Sequence, residues 1–200
     1  YMQIIKTNNE LLLKLINDIL DLSKYEAGAM ELKYEEFDFS EYFNNMAVSM
    51  KQRVTNPNVR FFVENPYDRC RVYLDKNRIA QVMTNYVTNA IKYTQKGSHI
   101  DIRTGREGKN AVISVADDGP GISDEMKEHI FETFYTGTNK IADSRRSLGL
   151  GLALCKSIVN VHGGEIKVSD AHPHGAVFQF TLPAGEVYLY EQTTDTGCGR

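Results

Sequence analysis

The sequence reads NYVTNAIKY at residues 85–93, and this stretch shapes the first expectation about the fold. Asn85 and Asn89 are four residues apart and Lys92 follows three later, so a helix would carry all three on one face. The surrounding helix, predicted at about residues 76–94, is largely apolar, and buried amides need partners. A Mg²⁺–triphosphate would supply them, because Mg²⁺ takes amide oxygens and lysine pairs with phosphate. The alternative is a set of exposed polar residues on an ordinary helix.

A second polar stretch reads DDGPGI at residues 117–122, directly after a predicted strand. Gly119 and Gly121 would permit a tight turn and the close approach of a flat ligand to the backbone. Asp117, at the end of the strand, could accept a hydrogen bond from an exocyclic amine such as adenine N6. A simple β-turn is the alternative, since Asp-Gly and Pro-Gly pairs are common turn signals.

A third stretch reads LGLGL at residues 148–152 and opens a predicted helix. Gly149 and Gly151 would leave backbone N–H groups accessible at the helix N-terminus, where the helix dipole favours anions. The polar segment before it carries Arg145 and Arg146, and we interpret that segment as a lid over a phosphate site. Close helix packing at the glycines and a solvated loop before them are the alternatives.

Strands and helices alternate around these stretches. Helices are predicted at residues 39–53, with Ser40 as N-cap, and at 76–94, 124–134 and 150–162. Strands are predicted at residues 32–38, 59–64, 71–75, 100–106, 111–116, 165–170 and 176–182. This order predicts an α+β sandwich over residues 29–183, with one mixed sheet and helices on one of its faces. Residues 184–200 show no clear pattern and stay unassigned.

Residues 1–28 precede that domain as one long amphipathic helix with Gly28 as its C-cap. Its seam repeats at alternating steps of four and three residues and consists of Ile5, Asn8, Leu12, Leu15, Ile19 and Leu22. Such spacing is typical of a helix that packs in a bundle or dimer. A helix docked on the domain's own core is the alternative.

Composition excludes several classes of protein. The 200 residues carry a net charge of −3, and nucleic-acid-binding domains are usually clearly basic, so we expect no nucleic-acid partner. The three cysteines lack metal-ligand spacing, which indicates reduced thiols in a cytoplasmic domain. No apolar run approaches the roughly 20 residues of a membrane span. Because the chain begins inside a helix without methionine, we expect a longer parent protein, in which a membrane anchor would lie upstream.

In their order and spacing, these stretches resemble the nucleotide-binding motifs of sensor histidine kinases. Residues 85–93 resemble the N box, 117–122 the G1 box, 131–135 (FETFY) the F box and 149–154 (GLGLAL) the G2 box. The helix over 1–28 is similar to the second helix of that family's dimerisation and phosphotransfer domain. Each box is short, so the resemblance depends on all four occurring in order.

The resemblance implies the Bergerat fold of the GHKL superfamily, with ATP or ADP and Mg²⁺ as cofactors. It implies that Asn89 coordinates Mg²⁺ and that Asn85 and Lys92 contact the phosphates as catalytic residues. Tyr93 would stack on the adenine, and Asp117 would bind adenine N6. The other implied nucleotide-binding residues are Gly119, Gly121, Ile122, Phe134, Arg145, Arg146, Gly149, Leu150, Gly151 and Leu152.

The implied reaction transfers the γ-phosphoryl group of ATP to a histidine on an upstream helix, in two-component signal transduction. All five histidines of this chain fall in the predicted catalytic domain, so the phosphoacceptor is absent. A response regulator or receiver domain would be the partner, and the stalk helices would form a homodimer in the parent protein. The family's G2 box commonly begins Gly-Thr, whereas this chain has Ser147-Leu148, a departure that concerns the geometry of the lid.

Two other functions fit the same motifs. Proteins with the Bergerat fold include the ATPase clamps of chaperones, topoisomerases and mismatch-repair proteins, and protein serine kinases. The heptad helix before the domain favours the histidine kinase. A non-enzymatic nucleotide-sensing or dimerisation module with a degenerate lid is supported by Ser147-Leu148 alone, and Asn89, Lys92 and Asp117 count against it.

Overall fold

A computed structural model describes residues 2–52, 54, 59–93, 99–136, 149–185 and 187–189 of the chain. Its elements, in chain order, are α1 (Met2–Glu26), β1 (Glu35–Asp38), α2 (Phe39–Lys51), β2 (Arg60–Glu64), β3 (Tyr67–Leu74), α3 (Lys76–Tyr93), β4 (His99–Glu107), β5 (Asn110–Asp117), α4 (Asp124–His129), α5 (Gly151–Val161), β6 (Ile166–Asp170), β7 (Ala176–Pro183) and β8 (Val187–Leu189). The alternation of strands and helices confirms the predicted α+β class.

The larger sheet has five strands in the order β2-β4-β5-β7-β6. Strand β2 runs parallel to β4 and the other neighbours are antiparallel, so the sheet is mixed as predicted. Along β4, β5 and β7 alternate side chains are buried, among them Ile102, Ile113 and Phe180, each with no exposed surface. Helices α3 and α5 cover this face, and they also contact each other.

A second sheet, in the order β1-β3-β8, was not predicted. The strand predicted at residues 71–75 begins earlier, since β3 starts at Tyr67, and it pairs with β1 on one side and β8 on the other. Strand β8 lies in the stretch that the sequence left unassigned. Three residues are too few for a recognisable alternation, so only their partner strand reveals them as a strand.

The start of α2 corrects a second expectation. Asp38, and not Ser40, is the N-cap: its backbone is extended and its Oδ1 accepts a hydrogen bond from the Ser40 N–H at 3.0 Å. The same oxygen accepts the Cys70 N–H at 3.1 Å, so the cap also ties α2 to β3. Ser40 uses its hydroxyl elsewhere, donating it to the Tyr67 carbonyl.

Helix α4 is shorter than predicted and ends at His129 instead of residue 134. Phe134 has a φ of +64°, a left-handed conformation that an α-helix cannot contain. Its N–H donates to the Gly149 carbonyl at 3.2 Å, so the backbone there turns toward the start of α5.

Helix α1 matches its predicted length, and Gly28 with a φ of +64° follows it. Its last turns dock on the domain: Leu22 is buried in the core, and Arg78 of α3 holds the Asp21 carboxylate with both terminal nitrogens, one of them at 3.2 Å. The first turns of α1 do not dock on the domain, since Ile5 and Leu12 are more than half exposed. Among the helices of the described residues, none is both long and apolar enough to span a bilayer.

A buried histidine connects the end of α5 to the start of α3. His162 Nε2 accepts the Asp75 N–H at 3.1 Å, and Nδ1 lies 2.7 Å from the Ile158 carbonyl, so the ring is neutral with its proton on Nδ1. Burial lowers the pKa of His162 below its ordinary value, with the Ile158 hydrogen bond and the Asp75 charge acting in the opposite direction. Protonation would remove the acceptor that the Asp75 N–H requires.

We therefore predict that the stability of the protein depends on pH through His162, and that His162→Asn reduces this dependence. The unfolded chain binds this proton more readily than the folded one, so the His162 contribution is full above the ordinary pKa of 6.5 and falls as pH drops through the lower folded value. At pH 7.5 the variant should be less stable by about 1–3 kcal/mol, for the lost hydrogen bonds. Urea unfolding from pH 7.5 to 5.5 measures both effects. If the free energy of unfolding changed equally with pH in the two proteins, the assignment of a neutral, hydrogen-bonded His162 would be wrong.

Candidate functional site

Three elements that the sequence singled out meet at one edge of the sandwich: the C-terminal half of α3, the loop after β5 and the N-terminus of α5. Gly151 lies against Asn85, since a Cβ added to it would be 3.6 Å from the Asn85 Cγ. Gly119 lies against the end of α3, since its added Cβ would be 3.1 Å from the Tyr93 carbonyl oxygen. The structure thus brings together stretches that are more than 20 residues apart in the sequence.

Asp117 ends β5 and is buried. Its Oδ1 accepts the Gly119 N–H at 2.9 Å, and the Ala176 N–H is a further backbone donor. Burial raises the pKa of Asp117, while these two N–H groups and their hydrogen bonds oppose the rise. A carboxylate has about four lone-pair sites, so Asp117 has acceptor capacity beyond its two backbone donors.

The backbone around Asp117 leaves room only for glycine. A Cβ on Gly119 would lie 2.8 Å from the Asp117 Oδ1. On the other side Gly175, with a φ of +110°, would place its Cβ 1.9 Å from the Asp117 carbonyl oxygen. Gly175 was not selected from the sequence, although a glycine just before a predicted strand is a signal for such a close approach.

The polar face of α3 is only partly free for a ligand. Asn85 is buried, and its Nδ2 donates to the Gly151 carbonyl at 3.3 Å and to the Cys155 sulfur at 3.5 Å. In this structure Asn85 therefore connects α3 to α5. Asn89 lies one turn further along the same helix and is half-buried.

At the end of α3, the Lys92 ammonium lies 5.0 Å from the Tyr93 ring centroid and 3.4 Å from its hydroxyl. The Tyr93 side chain is 51% exposed, which leaves ring surface accessible. The two residues thus present a cation and an aromatic face beside the loop that carries Asp117.

The N-terminus of α5 has no side-chain cap, because Leu150 occupies the N-cap position. Its first N–H groups are therefore donors that a ligand can satisfy. The Leu150 side chain is buried in the core and Leu152 is half-buried, so their predicted role would use the backbone. Phe134 is 65% exposed beside this N-terminus.

The remaining predicted residues divide into two groups. Ile122 is half-buried against the core beside the loop that contains Gly121, whose φ is +76°. Arg145, Arg146 and the Ser147-Leu148 departure lie outside the described residues.

Metal binding at this site would depend on neutral oxygens. In the described parts of the chain, His, Cys, Asp and Glu side chains form no group of three or more that could hold a metal ion. The Asn89 amide is a hard oxygen donor, and Mg²⁺ commonly combines one or two protein ligands with substrate phosphates and water. The donor set therefore fits a metal that arrives with a phosphate ligand.

Comparison with protein-family models shows that residues 74–186 match the family described as "Histidine kinase-, DNA gyrase B-, and HSP90-like ATPase". Among characterised relatives, the sensor protein KdpD of Clostridium acetobutylicum is 37% identical over 176 residues, which cover 88% of this chain. The chain spans only 19% of the length of that relative.

Solved structures give the same result for the fold. The catalytic domain of the histidine kinase ThkA is 32% identical with a TM-score of 0.67, over 76% of this chain and 96% of that one. ThkA in complex with the response regulator TrrA covers 90% of this chain and 49% of that one, at 31% identity and a TM-score of 0.69. The match to full-length ShkA in complex with AMPPNP covers 94% of this chain and 39% of that one, at 25% identity and a TM-score of 0.79.

The junction before α5 yields a second prediction. Gly149 has a φ of +68°, and a Cβ there would lie 2.4 Å from the Tyr135 carbonyl oxygen, so Gly149→Ala should destabilise the fold by about 1–3 kcal/mol. Gly105→Ala is the matched control, because its Cβ would meet only the Val112 Cβ, at 3.9 Å. Urea unfolding of both variants measures the difference. Equal stability of the two variants would contradict the described junction.

Proposed function

The chain belongs to the histidine kinase-, DNA gyrase B- and HSP90-like ATPase family, as a sensor histidine kinase catalytic domain, and from this we propose that it transfers the ATP γ-phosphoryl group to a histidine outside this chain. The observation that carries the proposal is one edge of the sandwich that joins a buried carboxylate, an amide-bearing helix face and an uncapped helix N-terminus. These three features suit the adenine, the metal-bound phosphates and the phosphate oxygens of one nucleotide.

Asp117 is the proposed adenine-specific residue. Its carboxylate is desolvated and held by the Gly119 N–H, so it can accept the hydrogen of adenine N6 without competition from bulk water. A guanine would present a carbonyl oxygen at the same position, and two acceptors repel. Tyr93 would stack on the base, while Gly121 and Ile122 would shape the rest of the pocket.

The amide oxygen of Asn89 is the proposed protein ligand of Mg²⁺. When bound, Mg²⁺ neutralises phosphate oxygens during phosphoryl transfer. Lys92 carries a point charge that would contact phosphate from the end of α3, and Asn85 would assist from the same face. The residues of this chain thereby position and neutralise the triphosphate, which supplies most of the catalysis in phosphoryl transfer.

The chain itself does not need to supply a base for the nucleophile. The lone pair of a neutral imidazole nitrogen forms the new bond to the γ-phosphorus, and the bond from that phosphorus to the β–γ bridging oxygen breaks. ADP leaves with the electron pair of that bond. The backbone N–H groups at Gly149 and Gly151, together with Arg145 or Arg146, would hold the phosphates during this exchange. Phe134 would anchor the base of the lid.

Partners follow from the same membership. ThkA forms a complex with the response regulator TrrA, and we propose a response regulator or receiver domain as the partner of this chain's parent protein. We also propose a homodimer through the stalk helices, since Ile4, Ile5, Leu12 and Leu13 leave an apolar stripe of α1 more than half exposed. Use of ATP places the domain in the cytoplasm in this proposal.

Calorimetric titration with ADP and Mg²⁺ tests the site. Asp117→Asn should weaken ADP binding about 10- to 100-fold, because an N–H₂ group replaces an ionised acceptor for adenine N6. Asn89→Ala should remove the Mg²⁺ dependence of binding. Asp68→Asn and Asn77→Ala are matched controls at exposed positions of β3 and α3 and should bind like the parent. Absence of ADP binding by the parent chain would refute the proposed function.

Labelling with [γ-³²P]ATP tests the reaction. The chain alone should stay unlabelled, because none of its five histidines lies on a first stalk helix. A chain extended upstream through that helix should acquire an acid-labile phosphate, and Asn89→Ala in the extended chain should abolish it. Labelling of the chain alone, or of the extended Asn89→Ala variant at the parental rate, would contradict the assigned roles.

A further inference from the structure

The loop that carries Asp117 is also attached to the neighbouring strand β4, through Asp118, the next residue in the loop. Asp118 Oδ2 accepts the backbone N–H of His99 at 3.1 Å and lies 3.0 Å from His99 Nδ1. Its other oxygen, Oδ1, is buried and has no hydrogen-bond partner within the described parts of the chain. The carboxylate of Asp118 therefore depends on His99, the first residue of β4.

The remaining contacts of the loop leave it little freedom elsewhere. A Cβ on Gly175 would be 2.8 Å from the Asp118 Cα, so the backbone there is tightly packed against the turn before β7. The Gly119 N–H is committed to the Asp117 carboxylate. A change in the attachment of Asp118 would therefore move Asp117 and Gly119 with it.

The His99 ring is half exposed and lies between two carboxylates. Its Nδ1 contacts Asp118, its Nε2 is 4.0 Å from Asp101 Oδ2, and the Phe62 ring approaches it edge-on at 6.4 Å. Among the residues that the structure describes, the charged side chains beside the ring are Arg60 and Glu64 on β2, Asp101 and Arg103 on β4, and Asp118 in the loop. Arg103 pairs with both Asp101 and Glu64, which leaves Asp118 to His99.

We propose that His99 is a positioning residue of the nucleotide site, which acts through Asp118 to place the Asp117 carboxylate and the Gly119 N–H. His99 touches neither the nucleotide nor the metal in this arrangement. A ring with a proton on Nδ1 donates to Asp118, and this contact fixes the carboxylate that follows Asp117 in the loop. Loss of the donor would loosen the loop and weaken adenine binding. The consequence for affinity rests on the proposed function, whereas the consequence for the loop does not.

The loop is tested first, without nucleotide, by NMR of ¹⁵N-labelled protein at pH 7.5. The Gly119 amide resonance should shift in His99→Ala and return toward its parental position in His99→Asn, since asparagine retains a donor for Asp118. His129→Ala is the matched control, because His129 is a similarly exposed histidine that pairs with Glu132 and not with Asp118. A Gly119 amide that keeps its parental position in His99→Ala, or that does not recover in His99→Asn, would overturn the proposal.

Affinity is tested second, by ADP titration. At pH 7.5 His99→Ala should weaken binding about three- to tenfold, the effect of one hydrogen bond, and His99→Asn should restore it. Parental affinity in His99→Ala, or no recovery in His99→Asn at an equal melting temperature, would overturn the proposal. If the parent does not bind ADP, the proposed function fails, while the Gly119 amide shift still decides the role of His99.

Discussion

Burial of one carboxylate constrains the backbone on every side of the proposed site. An ionised group away from water requires donors in fixed positions, and Asp117 receives them from the Gly119 and Ala176 N–H groups. Those donors require the two chain segments to approach so closely that only glycine fits at residues 119 and 175. The tight loop and the turn before β7 are thus one arrangement, with the proposed acceptor for adenine, Asp117, at its centre.

The extent to which the sequence predicts this protein depends on how local each feature is. Helix α3 and the β4–β5 hairpin were predicted within a few residues, because periodicity and a short turn determine them within one stretch of chain. The three motifs were selected from residue types and converge as expected, although their ligand contacts stay predictions. The site residue missed, Gly175, matters only because a distant segment, at Asp117, packs against it.

The remaining differences are also non-local. The β1-β3-β8 sheet depends on pairing between segments far apart in the sequence, and α4 ends early because the Phe134 backbone bonds to Gly149. Asn85 was assigned to phosphate, and that role stays a prediction; the contact of its amide nitrogen with α5 was not predicted. For α1 the docked alternative holds for the last turns, where Leu22 is buried in the core. The first turns leave apolar side chains exposed, and their packing in a bundle or dimer stays a prediction. A single sequence cannot distinguish these outcomes, because an apolar stripe looks the same whether its partner is the same chain or another.

The small β1-β3-β8 sheet has a mechanical consequence. The chain enters the domain through β1 and leaves the described part through β8, and both strands are antiparallel to the β3 strand between them. Strands β1 and β8 therefore point in the same direction, and tension between the two ends of the domain would load the sheet in shear across β3. A pull along the stalk would also load α3 directly, because Arg78 holds the Asp21 carboxylate of α1. Since the C-terminal half of α3 lies at the proposed nucleotide site, tension in the stalk would reach both the small sheet and that site.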